Sequence, residues 1–320
     1  MDRPNVRSGN RGLGGLLLAL LIGVTTLSAS PGDLHSQDRK ELGGTEQGGT
    51  EASESRPVVG PSSGALILAG GGSLGPEIWG QFVSLAGGDD ARIVVIPTAG
   101  AEDDFPEDWG GLEGLREAGA HNLTVLHTRD PEVADSEEFV SPLLEATGVW
   151  IPGGRQWRLV DAYLGTRTHQ ALFELLARGG VVGGTSAGAS ILASFLVRGD
   201  PNTNQVVISQ DYLDGFGLLN GTAVDQHLLV RDREDDLWEV LELRPELLGI
   251  GLDEGTALVI QEDRGQVIGV SEVLVYDRTG PIPQTHLLRE GEAFDLGQRT
   301  FAPTMVPQEA GHESSSTPRR

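Results

Sequence analysis

The stretch Gly183-Gly184-Thr185-Ser186-Ala187-Gly188-Ala189-Ser190 joins the apolar pair Val181-Val182 to a run of helical character, Ser190 to Val197, and its centre reads Gly-x-Ser-x-Gly. A strand that turns abruptly into a helix forces the apex residue toward strained φ/ψ values and leaves no room for large flanking side chains. Ser186 would then project its hydroxyl into open space, and the helix beyond would aim N–H groups and the positive end of its dipole at the same spot, where negative charge can develop. These are the parts of a serine nucleophile; the competing reading is a Gly-rich connection around a buried serine. A serine hydroxyl needs a base, ordinarily His. Of the seven histidines, His35 and His312 fall in polar terminal stretches, His121, His127 and His286 border strand-like runs, and His169 sits in a helical pattern ahead of the serine. His227 stands out in Val224-Asp225-Gln226-His227-Leu228-Leu229, a strand-like run crowded with polar groups, although a hydrogen-bonded structural histidine would look the same.

A second glycine motif, Gly70-Gly71-Gly72-Ser73-Leu74-Gly75, satisfies Gly-x-Gly-x-x-Gly directly after an apolar run. Dinucleotide binding also needs an acid after the next strand, and there the chain has Pro97-Thr98-Ala99-Gly100, while Asp89 and Asp90 precede that strand. The glycines are therefore read as room for close backbone approach at the site.

Short continuous apolar runs, Ala65-Leu-Ile-Leu-Ala69, Ile93-Val-Val-Ile96, Leu123-Thr-Val-Leu126, Gly148-Val-Trp-Ile151 and Val181-Val182, alternate with helical patterns at Glu77 to Ala86, Trp109 to Ala118, Ser141 to Ala146 and Leu159 to Arg178. Apolar strands followed by helices make βαβ units, so the fold class is α/β, with a doubly wound, mostly parallel sheet covered on both faces. Later runs at Ala257 to Ile260, Val267 to Val270 and Val273 to Tyr276, with turns at Asp263-Arg264-Gly265 and Asp277-Arg278-Thr279-Gly280, read as an antiparallel end. Ligands of open α/β sheets bind beyond the carboxyl ends of the strands, which is where Gly70 to Gly72, Gly153-Gly154 and Gly183-Gly184 fall.

The 320 residues are expected to hold one domain. Arg3, Arg7 and Arg11 precede an uncharged run from Leu13 to Ala29 and the small residues Ser28-Ala29-Ser30, so residues 1–30 read as a signal peptide and the mature protein as secreted or periplasmic. A transmembrane anchor fits less well, because Gly14, Gly15, Gly23, Thr25 and Thr26 interrupt a run that only just approaches spanning length. Residues 31–63, rich in Gly, Ser, Glu, Thr and Pro, read as a disordered leader, and residues 305–320 as a disordered tail. The domain between them, residues 64–304, has about 240 residues and a core of useful size. With no cysteine it must rest on that core without disulfides or a lipoprotein anchor. A net charge of −24, from 47 acidic and 23 basic residues, excludes nucleic acid and, for the mature form, anionic membrane as partners. There is no His-Glu-x-x-His, so neither a metal nor any other cofactor is expected.

Five stretches in one order carry a family resemblance: Ile151-Pro-Gly-Gly-Arg-Gln156, Gly184-Thr-Ser-Ala-Gly-Ala189, Gly215-Phe-Gly-Leu-Leu219, Asp225-Gln-His227 with Arg231 and Arg233, and Leu248-Gly-Ile-Gly-Leu-Asp-Glu-Gly-Thr-Ala257. Over about Ala65 to Asp277 the chain resembles the cyanophycinase and dipeptidase E family of serine peptidases. The resemblance implies a flavodoxin-like sheet of the class I glutamine-amidotransferase type and a homodimer. It implies Ser186 as nucleophile, His227 as general base, and the N–H groups of Gly154 and Ala187 as oxyanion donors. It assigns Gln156, Asp225, Gln226, Arg231 and Arg233 to substrate binding; two guanidiniums can clamp carboxylates in bidentate fashion. The implied partner is a peptide or aspartate polymer, cut beside aspartate, with short Asp-peptides or β-Asp-Arg released.

Three departures stand out. Arg155 replaces the aspartate of the family's Gly-Gly-Asp-Gln, Asp236 lies near where cyanophycinases continue with another arginine, and the acid that orients His227 is not plain. Asp200 and Asn204 lie in the corresponding segment, and Asp200 is the preferred candidate. Two other functions use the same residues: an esterase or acylase on the same elbow, and a non-catalytic carboxylate-binding protein.

Overall fold

Five consecutive apolar residues, Ala65–Ala69, are all buried, as a central parallel strand covered on both faces requires. They form β1 in the computed structural model of the chain, which describes residues 58–106 and 108–302. The signal peptide, most of the leader and the tail expected from the sequence lie outside those residues. Along the chain follow α1 (Pro76–Leu85), β2 (Arg92–Val95), α2 (Glu113–Glu117), β3 (Asn122–Val125), α3 (Pro131–Ala134), α4 (Glu137–Glu145), β4 (Gly148–Ile151), α5 (Gln156–Tyr163), α6 (Arg167–Ala177), β5 (Val181–Thr185) and α7 (Ala187–Ser190). The second half holds β6 (Ala193–Phe195), β7 (Leu219–Gln226), α8 (Asp236–Leu243), β8 (Leu248–Leu252), β9 (Thr256–Gln261), β10 (Arg264–Gly269), β11 (Val273–Asp277), β12 (Gln284–Leu288), β13 (Ala293–Asp295) and β14 (Thr300–Ala302).

The fold is α/β, with the expected parallel sheet wound on both faces. In a nine-stranded sheet the order is β14-β13-β10-β9-β1-β5-β4-β2-β3, and β1, β5, β4, β2 and β3 run parallel. Side chains of β1 alternate: Ala65, Ile67 and Ala69 pack with Ile78 and Phe82 of α1 and Leu115 of α2, whereas Leu66 and Leu68 face a core that includes Leu159, Leu172 and Leu175 of α5 and α6. Helices thus cover both faces of the parallel half.

The sequence did not disclose a second sheet, of five strands in the order β12-β11-β8-β7-β6. Val224, Ile250 and Val275 of this sheet share one core with Leu66, Leu68, Leu258 and Ile260 of the larger one. Its opposite face is covered by Leu237, Val240 and Leu241 of α8. The antiparallel expectation holds for the β9-β10 hairpin, but β11 leaves that sheet and pairs with β8 and β12.

Local readings shift too. The pattern from Leu159 to Arg178 is two helices, because Gly165 turns with φ +80° and the Thr166 hydroxyl caps α6 by accepting from the His169 N–H. The run from Ser190 to Val197 is not a helix: α7 ends at Ser190 and Ala193–Phe195 pairs with β7, which buries apolar side chains on both sides of the strand.

Order also starts earlier than Gly64. Val59 is buried, its N–H and that of Gly60 both donate to Asp263 Oδ1 (2.7 and 2.9 Å), and its carbonyl accepts from the Asn220 N–H. The leader reading therefore fails for residues 58–63, because one valine and one distant carboxylate tie them down. Asp263→Ala is expected to lower stability by about 1–3 kcal/mol and to open this segment to protease, checked by denaturant unfolding and limited proteolysis.

Candidate active site

β1, β5 and β4 are neighbours, so the three glycine turns beyond their carboxyl ends meet at one place. Ser186 stands at the middle turn with φ 54° and ψ −117°, a backbone state that costs on the order of 1–3 kcal/mol for a residue with a side chain. Its N–H donates to the Ala69 carbonyl at 2.9 Å, and its own carbonyl accepts from the Ala189 and Ser190 N–H groups. Both glycines of the motif are there for contact. A Cβ on Gly188 would fall 1.8 Å from the Ile151 carbonyl oxygen, and one on Gly184 2.1 Å from that of Gly188. The elbow expected from the sequence is present, although the helix behind it has only four residues, so local N–H groups rather than a long dipole must serve any negative charge.

Beyond the end of β7 lies His227, at φ +55° and buried. The Ser186 hydroxyl donates to His227 Nε2 at 2.8 Å, and His227 Nδ1–H donates to Glu254 Oε1 at 2.5 Å. Glu254 follows β8, which is parallel to β7 with Gln226 opposite Leu252, so base and acid leave the same edge of the second sheet. The turn after β1 closes over this pair: a Cβ on Gly71 would fall 2.2 Å from the imidazole, while the His227 N–H donates to the Gly70 carbonyl. The second glycine motif thus serves close backbone approach. Burial lowers the His227 pKa from its ordinary value, and Arg231 and Arg233 push the same way against the hydrogen bond and charge of Glu254. A neutral imidazole with Nδ1 committed as donor leaves Nε2 free to accept the serine proton.

Asp200 does not take the place expected for it. Its carboxylate accepts from the N–H groups of Asn202 and Thr203 (2.8 and 2.9 Å), and its carbonyl accepts from Arg155 Nη2. Asn204 is turned away too, its carbonyl accepting from Arg198 and its side chain from Gln205. A short Asx-type turn claims Asp200, and the position beside His227 belongs to Glu254. The signal was available in the run Gly251-Leu-Asp-Glu-Gly255, where an acid follows an apolar strand just as His227 does.

Gly153 lies against Ser186, since a Cβ there would fall 3.1 Å from the serine Cβ. The N–H groups of Gly154 and Ala187, on either side of the serine, donate to no acceptor among the described residues. Gly154 is held at φ +149° by the Ala99-Gly100 loop, where the Arg155 N–H and Arg158 Nη1 both donate to the Ala99 carbonyl.

The five residues assigned to substrate binding divide. Asp225 is fully buried with its two oxygens 2.7 Å from Arg198 Nε and Nη2, so it is not a surface that substrate can reach. Gln226 is also buried and accepts from Arg233 Nη1 through both its carbonyl and its side-chain oxygen (2.9 and 2.7 Å). Gln156 opens α5, buried, with its amide donating to the Val197 carbonyl. What remains with donors to spare is exposed Arg231 and Nη2 of Arg233, which is buried without a partner. Burial and the neighbouring guanidiniums of Arg198 and Arg231 push the Arg233 pKa down to about 10. Arg198 escaped the sequence reading. It is 1% exposed, and although burial works against its charge, Asp225 and Asp236 outweigh that and raise its pKa. Asp236, which stands where a third arginine was expected, accepts from Arg198 Nη2 at 2.5 Å.

Residues 66–268 match the family model described as peptidase family S51. The chain is 31% identical over 271 residues to a cyanophycinase of Nostoc sp. (strain PCC 7120 / SAG 25.82 / UTEX 2576), a match spanning 75% of this chain and 88% of that one. It is 32% identical over 222 residues to a cyanophycinase of Geminocystis herdmanii (strain PCC 6308), covering 67% and 80% of the two chains. Among solved structures it resembles a peptidase from an acI-B1 actinobacterium, with a TM-score of 0.56 and 25% identity over 74% of this chain and 97% of that one.

The geometry separates the two acids. Glu254→Gln is expected to lower kcat by about 10³-fold or more while Asp200→Asn stays within about threefold, read from steady-state kinetics on any turned-over substrate. Because only neutral His227 can take the serine proton, activity should rise with pH with a midpoint below about 6.5. Arg231→Ala removes one of the charges holding that pKa down and should move the midpoint of the kcat/KM profile upward.

Proposed function

The chain belongs to peptidase family S51, and from that premise we propose a serine-type peptidase that cuts bonds beside aspartate through an acyl-enzyme on Ser186. The observation that carries this reading is the continuous line from Ser186 Oγ through the two His227 nitrogens to Glu254. In the first half-reaction the serine proton passes to His227 Nε2 as Oγ bonds to the substrate carbonyl carbon. The N–H groups of Gly154 and Ala187 hold the oxyanion, and the imidazolium gives its proton to the leaving amine as the C–N bond breaks. Glu254 keeps the ring in one tautomer and supports its transient charge. Water then attacks the ester, loses its proton to His227, and the serine hydroxyl is restored.

Exposed Arg231 is the group that would hold an aspartyl carboxylate, with buried Arg233 supporting the charge from behind it. Asp225 and Gln226 contribute from behind, by fixing the buried guanidiniums of Arg198 and Arg233. The relatives are named cyanophycinases, which supports an aspartate polymer or its short peptides as substrate. The Arg-rich start followed by an uncharged run supports export of the mature protein.

Mass spectrometry of products from cyanophycin and a panel of α- and β-aspartyl peptides tests the reading. Wild type should release aspartyl products, and Ser186→Ala should lower the rate by about 10⁴-fold or more while keeping the fold. Turnover of simple esters alone would favour the esterase reading, and binding of Asp-peptides with no product would favour the carboxylate-binding one.

A further inference from the structure

The loop that follows β2, residues 97–100, lies against the turn that follows β4, because the two strands pair side by side. Contact there is close: a Cβ on Gly154 would fall 2.0 Å from the Ala99 carbonyl oxygen, so only glycine lets the turn approach. That same oxygen accepts from the Arg155 N–H at 2.9 Å, which fixes the Gly154–Arg155 peptide plane. With Gly154 pressed against it at φ +149°, the preceding plane, which carries the Gly154 N–H, is fixed as well. The direction of an oxyanion donor thus depends on where one carbonyl of a neighbouring loop stands.

Helix α5 grips this loop from both of its ends. From its first turn Arg158 Nη1 donates to the carbonyls of Ala99 and Gly100, at 2.9 and 2.7 Å. From its last residue the Tyr163 hydroxyl lies 2.6 Å from that of Thr98, which is fully buried. Arg129 reaches only the Gly100 and Glu102 carbonyls, from the exposed side.

Arg158 is half-buried and makes no ion pair among the described residues; its guanidinium carbon lies 5.3 Å from the centre of the Trp157 ring. Burial lowers its pKa, and the nearby Arg129 and Arg155 push the same way. A carboxylate here would pin the guanidinium more firmly, but it would also oppose negative charge developing near Gly154. Carbonyl acceptors hold the cation without that opposition, and its charge favours the oxyanion.

We propose that Arg158 is a positioning residue: it holds the 97–100 loop where Ala99 aims the Gly154 N–H at the oxyanion, acting through that carbonyl and not through the substrate. The inference rests on the serine nucleophile and oxyanion hole of the reading above. Misplacement by about 1 Å costs on the order of 10²-fold in rate, and loss of one oxyanion donor about 10²- to 10³-fold.

The first test uses diisopropyl fluorophosphate, whose phosphoryl oxygen takes the oxyanion position. Ser186 Oγ bonds to phosphorus, fluoride leaves, the hydroxyl proton passes to His227, and the rate is read by mass spectrometry of the intact protein. Arg158→Gln and Arg158→Met should each slow labelling at least about tenfold. Arg158→Lys again offers one charged nitrogen to both carbonyls and should return to within about threefold of wild type, where Arg129→Gln should also stay. In the second test, on aspartyl peptides, kcat of Arg158→Gln should fall by the same factor as labelling, while KM stays within about threefold and the pH midpoint of kcat/KM does not move. Labelling of Arg158→Gln or Arg158→Met at the wild-type rate, a lysine variant as slow as these two, a loss confined to KM, or a wild type that takes no label overturns the assignment. Labelling that depends on Arg158 with no peptide cut would sink the peptidase reading and leave the assignment standing; peptides cut at full rate by Arg158→Gln would do the reverse.

Discussion

The hydrogen bond from the Ser186 hydroxyl to His227 is the side-chain link between groups carried by two different sheets. The serine comes from the end of β5 in the large sheet, and the histidine and Glu254 come from the ends of β7 and β8 in the small one. Neither sheet holds the catalytic line alone, so the line exists only while the shared apolar core keeps the two in register. That core includes Leu66 and Leu68 from one side and Val224, Ile250 and Leu252 from the other. Packing at crystal-like density resists sliding, which is what a 2.8 Å donor–acceptor distance demands.

Backbone strain is concentrated at the same junction. Ser186 and His227, whose side chains share the hydrogen bond, both have positive φ without being glycine. Such states persist only when their surroundings over-determine them. Here the carbonyls of Ala69 and Gly70, consecutive residues at the end of β1, accept from the N–H groups of Ser186 and His227 respectively. One short turn therefore fixes both partners, and it can pass so close to the imidazole because Gly71 has no side chain.

Behind this line lies a polar set in which buried Arg198 pairs with buried Asp225 and half-buried Asp236, and buried Arg233 donates to Gln226. Removing one member of a buried pair leaves an uncompensated charge and typically costs about 3–5 kcal/mol. The set also reaches the chemistry, because Arg233 and exposed Arg231 help keep His227 neutral. Residues that look like substrate ligands in a linear motif thus act here as supports, and the free donors are fewer than the motif contains.

Much of this was legible in the chain. The Gly-x-Ser-x-Gly run between a strand and small residues located Ser186, because close contacts of Gly184 and Gly188 leave a local signature. Alternating apolar runs and helical patterns gave the parallel sheet and its two covered faces, and a strand crowded with polar groups marked His227. Asp200 was misread because proximity along the chain to other motif residues says nothing about direction, and its carboxylate is spent on its own turn. The second sheet stayed hidden because its strands are interleaved in sequence with those of the first: β9 and β10 belong to one, β8 and β11 to the other. The sequence by itself marked the strands and helices of the parallel sheet, the Ser186 elbow and the polar strand end at His227, since these depend on local sterics and periodicity. Which acid stands behind the base, which arginines keep a free donor, and which guanidinium grips the loop beside Gly154 were decided by pairing between distant strands, a property of the folded chain alone.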